Sequence, residues 1–439
     1  LAYLTLLVIL IASFYLQALD LFWQGMHAPN MFLHRYAWLF SLTILFMAAE
    51  VLNRIKEINW QRLCLAFSLV SIGFILTFIY RKHYHFLTSS HYVLTLEFLL
   101  VFLTVTLAFT VRKLSYTIFS AVILFFCLFE ISINSYYQID GIANEWVFAA
   151  RSSYQGKIPA IDKLTSSLQD DQNFYRTEIL QPQTGNDSMK YNFRGISQFS
   201  SVRNTDTSST LDKLGFKSDG TNLNLRYQNN TLLMDSLFGI KYNITDRNPQ
   251  KFSFHKLETQ GNQTLYQNEK ALSLAFLTAS PYKDIQFSNL TLDNQKNFLN
   301  HLTGQSLTFY QRLYPLKTSS DNPSQGPQNA KVEADSFLTY ASIEYELYVQ
   351  NDSQLYVNLP SLEFENEDYT DVEIITNGQG NRYTTDNVFP FFTIGHFKAG
   401  ETVKIRIAFP ENSTVTFQNP EFFALNLQAY QEAFENLHQ

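Results

Sequence analysis

Five of the nine histidines, His27, His34, His83, His85 and His91, lie in two short stretches that also hold Arg35, Arg81 and Lys82. Imidazoles and fixed cations gathered in this way can grip a phosphate through charge-assisted hydrogen bonds, most strongly where water is scarce. A blander reading gives the same side chains only headgroup contact at the ends of apolar helices. His83 and His85 have the spacing of two metal ligands but no third ligand beside them, so no cofactor is identified and a divalent cation remains an option. Glu97 lies about one and a half turns inside an apolar run, where an unpaired carboxylate is costly. It is expected to face protein or water, as a functional acid or as a hydrogen-bond partner of a neighbouring helix.

Other signatures of chemistry are missing from the sequence. It contains no G-x-S-x-G elbow, no P-loop, no H-E-x-x-H and no Cys/His box. Adjacent acids such as Asp170 and Asp171, or Glu365 and Glu367, suit solvated loop charge. The chain carries 32 Lys and Arg against 39 Asp and Glu, and eight of the bases but only five of the acids precede residue 134. The remainder is net negative, the wrong sign for a nucleic-acid partner.

Five apolar windows must position the basic residues: 1–19, 36–52, 63–80, 92–111 and 115–133. Each meets the roughly 17–25 residues needed to cross a bilayer core. Trp38, Trp60, Tyr80 and Tyr92 mark their ends as an interfacial belt does. The first window lacks the basic start and small-residue cleavage site of a signal peptide and begins without Met, so further residues are expected upstream. Arg54, Lys56, Arg62, Arg112 and Lys113 fall in one set of loops, and Arg35, Arg81 and Lys82 in the other. The positive-inside rule then predicts a multi-pass cell-membrane protein with everything after residue 133 outside the cell. Cys64 and Cys127 both lie in apolar windows; the cysteine-free polar part suits the exterior of a low-cysteine Gram-positive cell.

A module of mixed helix and strand is expected over 134–316, then a linker over 317–330 rich in Pro, Gly, Ser and Asn. Within the module, 161–168 has helical spacing, FYRTEIL at 174–180 alternates like a strand, and NDSMKYNFRGISQFSS at 186–201 reads as a loop. LLMDSLFGIKYNI at 232–244 reads as a short helix stopped by Gly239 before a strand. Over 331–439, period-two runs broken by turns such as Asn377-Gly378 and Ala399-Gly400 predict an antiparallel β-sandwich of the jelly-roll or immunoglobulin-like kind, followed by a C-terminal helix. The expected fold is a helical transmembrane bundle, an extracytoplasmic α+β module and this sandwich.

Four stretches, PNMFLHRYAWLFS at 29–41, NDSMKYNFRGISQFSS at 186–201, DSLFGIKY at 235–242 and LYQNEKALSLAF at 265–276, resemble in that order the later half of YfhO-family bacterial membrane proteins. The resemblance covers nearly the whole sequence and implies a GT-C-like glycosyltransferase architecture. It implies sugar decoration of lipoteichoic or wall teichoic acid, with the sugar carried on undecaprenyl phosphate. The partners would be membrane lipid, a polyprenyl-phosphate-linked sugar donor and a cell-wall polymer acceptor. In that class the catalytic carboxylate lies in a first external loop, which would precede this sequence, and a last membrane helix would follow it. The catalytic residue is therefore not identified. Carried over are Arg35 and Tyr36, and Asn186, Asp187, Gly195, Ser197 and Ser200 of the second stretch. His34, Arg35, Tyr36, Arg81, Lys82 and Glu97 are the candidates for the lipid-phosphate site. The alternative is a non-catalytic polymer-binding or assembly protein anchored by its helices.

Overall fold

The computed structural model describes residues 2–28, 33–83, 88–111, 113–145, 150–168, 173–218, 224–227, 229–278, 285–320, 323–325, 330–334, 340–385 and 391–438. They belong to two compact units, Leu1–Phe148 and Ala149–Gln439.

In the first unit, the helices Trp60–Ile79, Ser89–Thr110 and Tyr116–Glu145 are long and apolar enough to cross a membrane. Little of their surface is buried: Leu65, Leu69, Ile72 and Ile79 are each more than half exposed. A helix apolar on every side cannot face water around its circumference, so the solvent these helices require is hydrocarbon. Their hydroxyls agree. Ser68, Thr77, Thr95, Thr104, Thr106, Thr110 and Ser132 each donate to the carbonyl one turn back at 2.6–2.8 Å, which satisfies them without water. Rings mesh the neighbours: Tyr92 lies against Phe74 and Phe78, with centroids 5.4 and 5.2 Å away, and Phe109 stacks on Phe119 at 4.4 Å.

The expectation of five spans needs correcting. The first window is two helices, Ala2–Ser13 and Gln17–Trp23, bent by 110°. Ser13 marks the break: its hydroxyl donates to the Ile9 carbonyl at 2.7 Å and accepts from Trp23 Nε1 at 3.0 Å, while its own carbonyl accepts from the Tyr36 hydroxyl at 2.8 Å. These side-chain bonds replace the helix ladder and let the chain turn. The second window forms Ala37–Asn53, a shorter apolar helix of 17 residues. By length and composition, three helices qualify as spans, or up to four if the bent pair counts as one.

The second unit opens with a mixed sheet in the order Arg176–Ile179, Ile240–Thr245, Gln263–Asn268, Phe254–Gln260, whose first pair is parallel and whose others are antiparallel. Helix Ile158–Ser166 buries Ile161 and Leu164 in the same cluster as Ile179, Tyr242, Ile244 and Leu265. The Thr231 hydroxyl caps helix Leu232–Leu237 by accepting from the Met234 amide, and Gly239, at φ +63°, ends that helix ahead of the strand.

From residue 310 the described strands pair antiparallel. One sheet runs Gln379–Thr384, Asp371–Thr376, Thr402–Ala408, Ser342–Tyr348, Lys317–Ser320; another runs Phe392–Phe397, Ser353–Asn358, Glu421–Asn426, Tyr310–Leu313. Leu347, Val357, Ile374, Ile405 and Phe422 from both sheets share one apolar cluster. Asn377 and Gly378, at φ +51° and +75°, supply the two left-handed residues that a tight hairpin needs.

The stretch expected as a linker carries strands. Lys317–Ser320 pairs with Ser342–Tyr348, and Pro323–Gln325 with Ala330–Glu333. Polar residues suffice there, because an edge strand needs backbone pairing on one side only. No boundary falls at this point: helix Leu427–His438 puts Tyr430, Ala433 and Phe434 into one core with Leu232, Ile240 and Leu299. Phe409 is wholly buried beside Phe364 and Phe417. Phe409→Ala is expected to cost about 3–5 kcal/mol, read as a lowered thermal midpoint of the detergent-solubilised protein; an unchanged midpoint would remove that ring from the core.

Candidate functional site

Strand Arg176–Ile179 holds Glu178, a carboxylate only 2 % exposed. Residues 18 and 19 positions further on make that burial possible. The Ile196 and Ser197 amides donate to Oε1, the latter at 3.0 Å, and the Ser197 hydroxyl donates to Oε2 at 2.8 Å. Burial pushes the Glu178 carboxyl up to about 7, opposed by these donors and by the Arg176 charge. Gly195 marks the closest approach of the loop: a Cβ there would stand 3.0 Å from Ser188 Cβ and 3.2 Å from Glu178 Oε1. The Thr177 amide donates to the Arg194 carbonyl at 2.8 Å and fastens loop to strand.

Asn186 and Asp187 shape the preceding turn. Buried Asp187 accepts from the amides of Gln183 and Thr184, at 2.7 and 2.9 Å, and from the Thr184 hydroxyl at 2.8 Å. Asn186 pairs with the Phe199 backbone in both directions, accepting at 2.8 Å and donating at 3.3 Å. Ser200 closes only a local turn, donating to the Val202 carbonyl at 2.8 Å. The stretch expected as a plain loop is thus a helical turn, Asp187–Lys190, and a braced wall.

That wall faces a cavity of about 480 Å³, lined also by Asn224, Arg226, Tyr227, Asp246, Arg247 and Arg382. Arg247 is held by Glu373 at 3.0 Å and the Gly380 carbonyl at 2.6 Å, and Arg382 by Asp371 at 2.7 Å. Arg226 is partly buried, which lowers its guanidinium pKa. A buried polar chain continues from Ser197. Its Oγ accepts from the Tyr227 amide at 3.1 Å, and the Tyr227 hydroxyl donates to Asp235. Asp235 pairs with Lys251 at 2.7 Å, both side chains at most 1 % exposed, and Lys251 also donates to the Tyr227 hydroxyl at 2.8 Å and to Asn243 at 3.3 Å. Burial pushes Asp235 up and Lys251 down, each opposed by its partner's charge. With its hydroxyl already bonded on both sides, Ser197 is a positioned hydrogen-bonding group on the cavity wall.

The candidates in the first unit divide into two connections. Before helix Ala37–Asn53, His34 Nδ1 meets Asp20 at 3.0 Å, and Tyr36 is buried with its ring stacked on Phe14 and Trp23 at 5.6 and 5.8 Å. Arg35 between them is exposed. After helix Trp60–Ile79, Arg81 lies over the Phe78 ring at 4.6 Å, and Lys82 and His83 are exposed. His91 takes part in the cap of its own helix through Thr88; His85 and Arg112 lie outside the described residues. Glu97 is exposed on helix Ser89–Thr110. Among the described residues no group of three or more His, Cys, Asp and Glu could hold a metal.

Glu178, Asp235, Lys251 and Arg226 escaped the reading of the sequence. Glu178 shares a strand face with Arg176 two residues away, and an Arg-x-Glu on a strand followed by the donor-rich Gly195-Ile196-Ser197 is the signal that could have found it.

Helices that require hydrocarbon, joined in one chain to a polar unit of α/β and antiparallel sheet, define an integral membrane protein. The family model of the bacterial membrane protein YfhO matches residues 1–439, and the chain belongs to that family. No curated protein matches it. Similar solved structures include a family two carbohydrate esterase from Clostridium thermocellum, at 11 % identity over 26 % of this chain and 33 % of that one, with a TM-score of 0.20. The xylan-binding module CBM86 from Roseburia intestinalis shows 12 % identity over 27 % of this chain and 96 % of the module, with a TM-score of 0.20. CBM35 from Cellvibrio japonicus Abf62 shows 7 % identity over 26 % and 91 %, with a TM-score of 0.17. The match spans about a third of the esterase, and at such scores none of these likenesses bears on fold or ligand.

Glu178 gives stability a pH dependence of definite sign. Its carboxyl keeps its proton to about 7 when folded, against an ordinary 4.5, so stability is fullest below 4.5 and falls as pH rises towards 7. Glu178→Gln, which imitates the protonated group, is expected to flatten that fall, matching the parent below pH 4.5 and exceeding it above pH 7; thermal midpoints across the range measure this, and parallel curves would refute it. Lys251→Met leaves the Asp235 charge buried alone and is expected to cost about 3–5 kcal/mol, seen as a lower midpoint in the same assay.

Proposed function

We propose that this protein is a membrane glycosyltransferase-like protein that moves a sugar from an undecaprenyl-phosphate-linked donor to lipoteichoic or wall teichoic acid at the outer membrane face. Family membership over the whole chain carries the reading, and hydrocarbon-requiring helices joined to a polar unit suit an enzyme with a lipid-borne donor and a water-borne acceptor. In this reading the helices form a GT-C-like bundle, the unit Ala149–Gln439 lies outside the cell, and its antiparallel sheets make a jelly-roll or immunoglobulin-like sandwich. The positive-inside bias supports that orientation.

A leaving lipid phosphate gathers negative charge at an interface where water is scarce, and guanidinium or ammonium groups there stabilise it. Arg35, Arg81 and Lys82, all exposed at helix ends, are the groups for that task. His34, paired with Asp20, and Tyr36, buried under Phe14 and Trp23, position the Arg35 connection. Glu97 serves in this reading as an acid facing a water-filled path. The base that activates the acceptor hydroxyl is not assigned to a residue of this chain.

One observation favours the second reading, a non-catalytic polymer-binding or assembly protein: the cavity built by the family motif is lined by one acid, Asp246, and so lacks an acid/base pair among its described lining residues. Purified full-length protein given polyprenyl-phosphate sugar and acceptor is expected to release polyprenyl phosphate; no release in the presence of both substrates would leave the second reading standing. Arg35→Ala in full-length protein is expected to lower sugar on teichoic acid about tenfold or more, and unchanged decoration would remove Arg35 from the mechanism.

A further inference from the structure

Three side chains that meet in the interior of the polar unit carry the groups for a condensation. Lys251 Nζ donates to Asp235 Oδ2 at 2.7 Å and to the side-chain carbonyl oxygen of Asn243 at 3.3 Å. The Asn243 carbonyl carbon stands one C=O bond, about 1.2 Å, from that oxygen, so the amine is already close to an electrophilic carbon. Asp235 and Asn243 are wholly buried, and the Lys251 side chain is 1 % exposed. The rings of Tyr227 and Phe254 lie over the amine, with centroids 5.2 and 4.9 Å away.

Each of the three residues is fixed by a different element. Asn243 sits within strand Ile240–Thr245, in register with Glu178 on one side and Tyr266 on the other. Asp235 belongs to the capped helix Leu232–Leu237, and its second oxygen accepts from the Tyr227 hydroxyl. The backbone on both sides of Lys251 is clamped by buried Gln354, which accepts from the Phe252 amide at 3.0 Å and donates to the Gln250 carbonyl at 3.2 Å. Reacting groups held in this way have little freedom left to lose on the way to bond formation. Burial also favours their neutral forms. It raises Asp235 and lowers Lys251, which moves the proton of their shared hydrogen bond towards the carboxylate and frees the amine lone pair.

We propose that Lys251 and Asn243 become joined by an intramolecular isopeptide bond, with Asp235 as the acid and base of the reaction. The neutral amine adds to Asn243 Cγ. Asp235 hands its proton to Nδ2, recovers one from the attacking nitrogen, and the Cγ–Nδ2 bond breaks to release ammonia. One C–N bond forms and one breaks, no atom changes oxidation state, and Asp235 ends as it began. Water, which would hydrolyse the side-chain amide instead, is kept out by the burial of all three groups.

Mass spectrometry of tryptic peptides from the purified full-length protein tests the proposal. Residues 242–247 and 248–256 are expected as one branched peptide, uncut after Lys251 and lighter than the sum of its parts by ammonia, about 17 Da. Lys251→Arg keeps a cation beside Asp235 but supplies no nucleophilic amine, and is expected to release the two segments separately. Asp235→Asn, which removes the proton carrier, is expected to leave Lys251 and Asn243 unjoined. The parent digest does not depend on how either variant folds. Separate segments at full mass in the parent overturn the proposal, as does a link from Lys251 to Asp235, marked by loss of water, about 18 Da. A joined peptide in Asp235→Asn overturns the role given to the carboxylate.

Discussion

A carboxylate can stay inside a fold only while donors point at it, and in this protein the Glu178 carboxylate depends on two amides and a hydroxyl from residues 196 and 197. The requirement works in both directions. Without the loop, Glu178 would be an unsolvated acid in a sheet; without Glu178, the loop would carry inward-pointing amides with no acceptor. Ser197, fixed by this contact, presents its oxygen to the Tyr227 amide, and Tyr227 in turn reaches the Asp235–Lys251 pair. The cavity wall and the buried ion pair are therefore set by one continuous chain of hydrogen bonds, which favours a single arrangement more than it adds stability.

Tyrosines tie the rest of the polar unit to that centre. The Tyr356 hydroxyl accepts from the Leu232 amide at 3.0 Å, Tyr430 bonds Ser236 at 2.6 Å, Tyr310 donates to Gln295 at 2.7 Å, and Tyr383 accepts from Asn229 at 3.0 Å. Each tyrosine comes from the C-terminal strands or helix and each partner from the α/β part. Large apolar bodies with polar tips can join an apolar core and a polar network at once. The Pro- and Ser-rich stretch at 317–330 looks like a hinge by composition, yet the parts before and after it share a core in which Tyr356 and Tyr430 sit and against which Tyr310 packs.

What could be read in advance follows from the range of the forces involved. The hairpin at Asn377-Gly378 and the helix stop at Gly239 depend on residues within a turn of themselves, and both are where the sequence puts them. The three long apolar helices need only their own composition. Glu178 takes its donors from residues 18 and 19 positions away, beyond the reach of a local pattern. The break after Ser13 was hidden for the same reason: the group that takes the Ser13 carbonyl is Tyr36, 23 residues further on.

The two units solve the problem of buried polar groups in opposite ways. Hydroxyls on the long apolar helices bond their own backbone, a local solution that leaves each helix self-sufficient in hydrocarbon. In the polar unit, side chains bond across elements far apart in sequence, so removing one leaves partners stranded in several places. The hydroxyls of such a helix are spent on its own backbone. In the connections Arg35, Arg81 and Lys82 are exposed, with Arg35 beside the buried Tyr36 and Arg81 over the Phe78 ring.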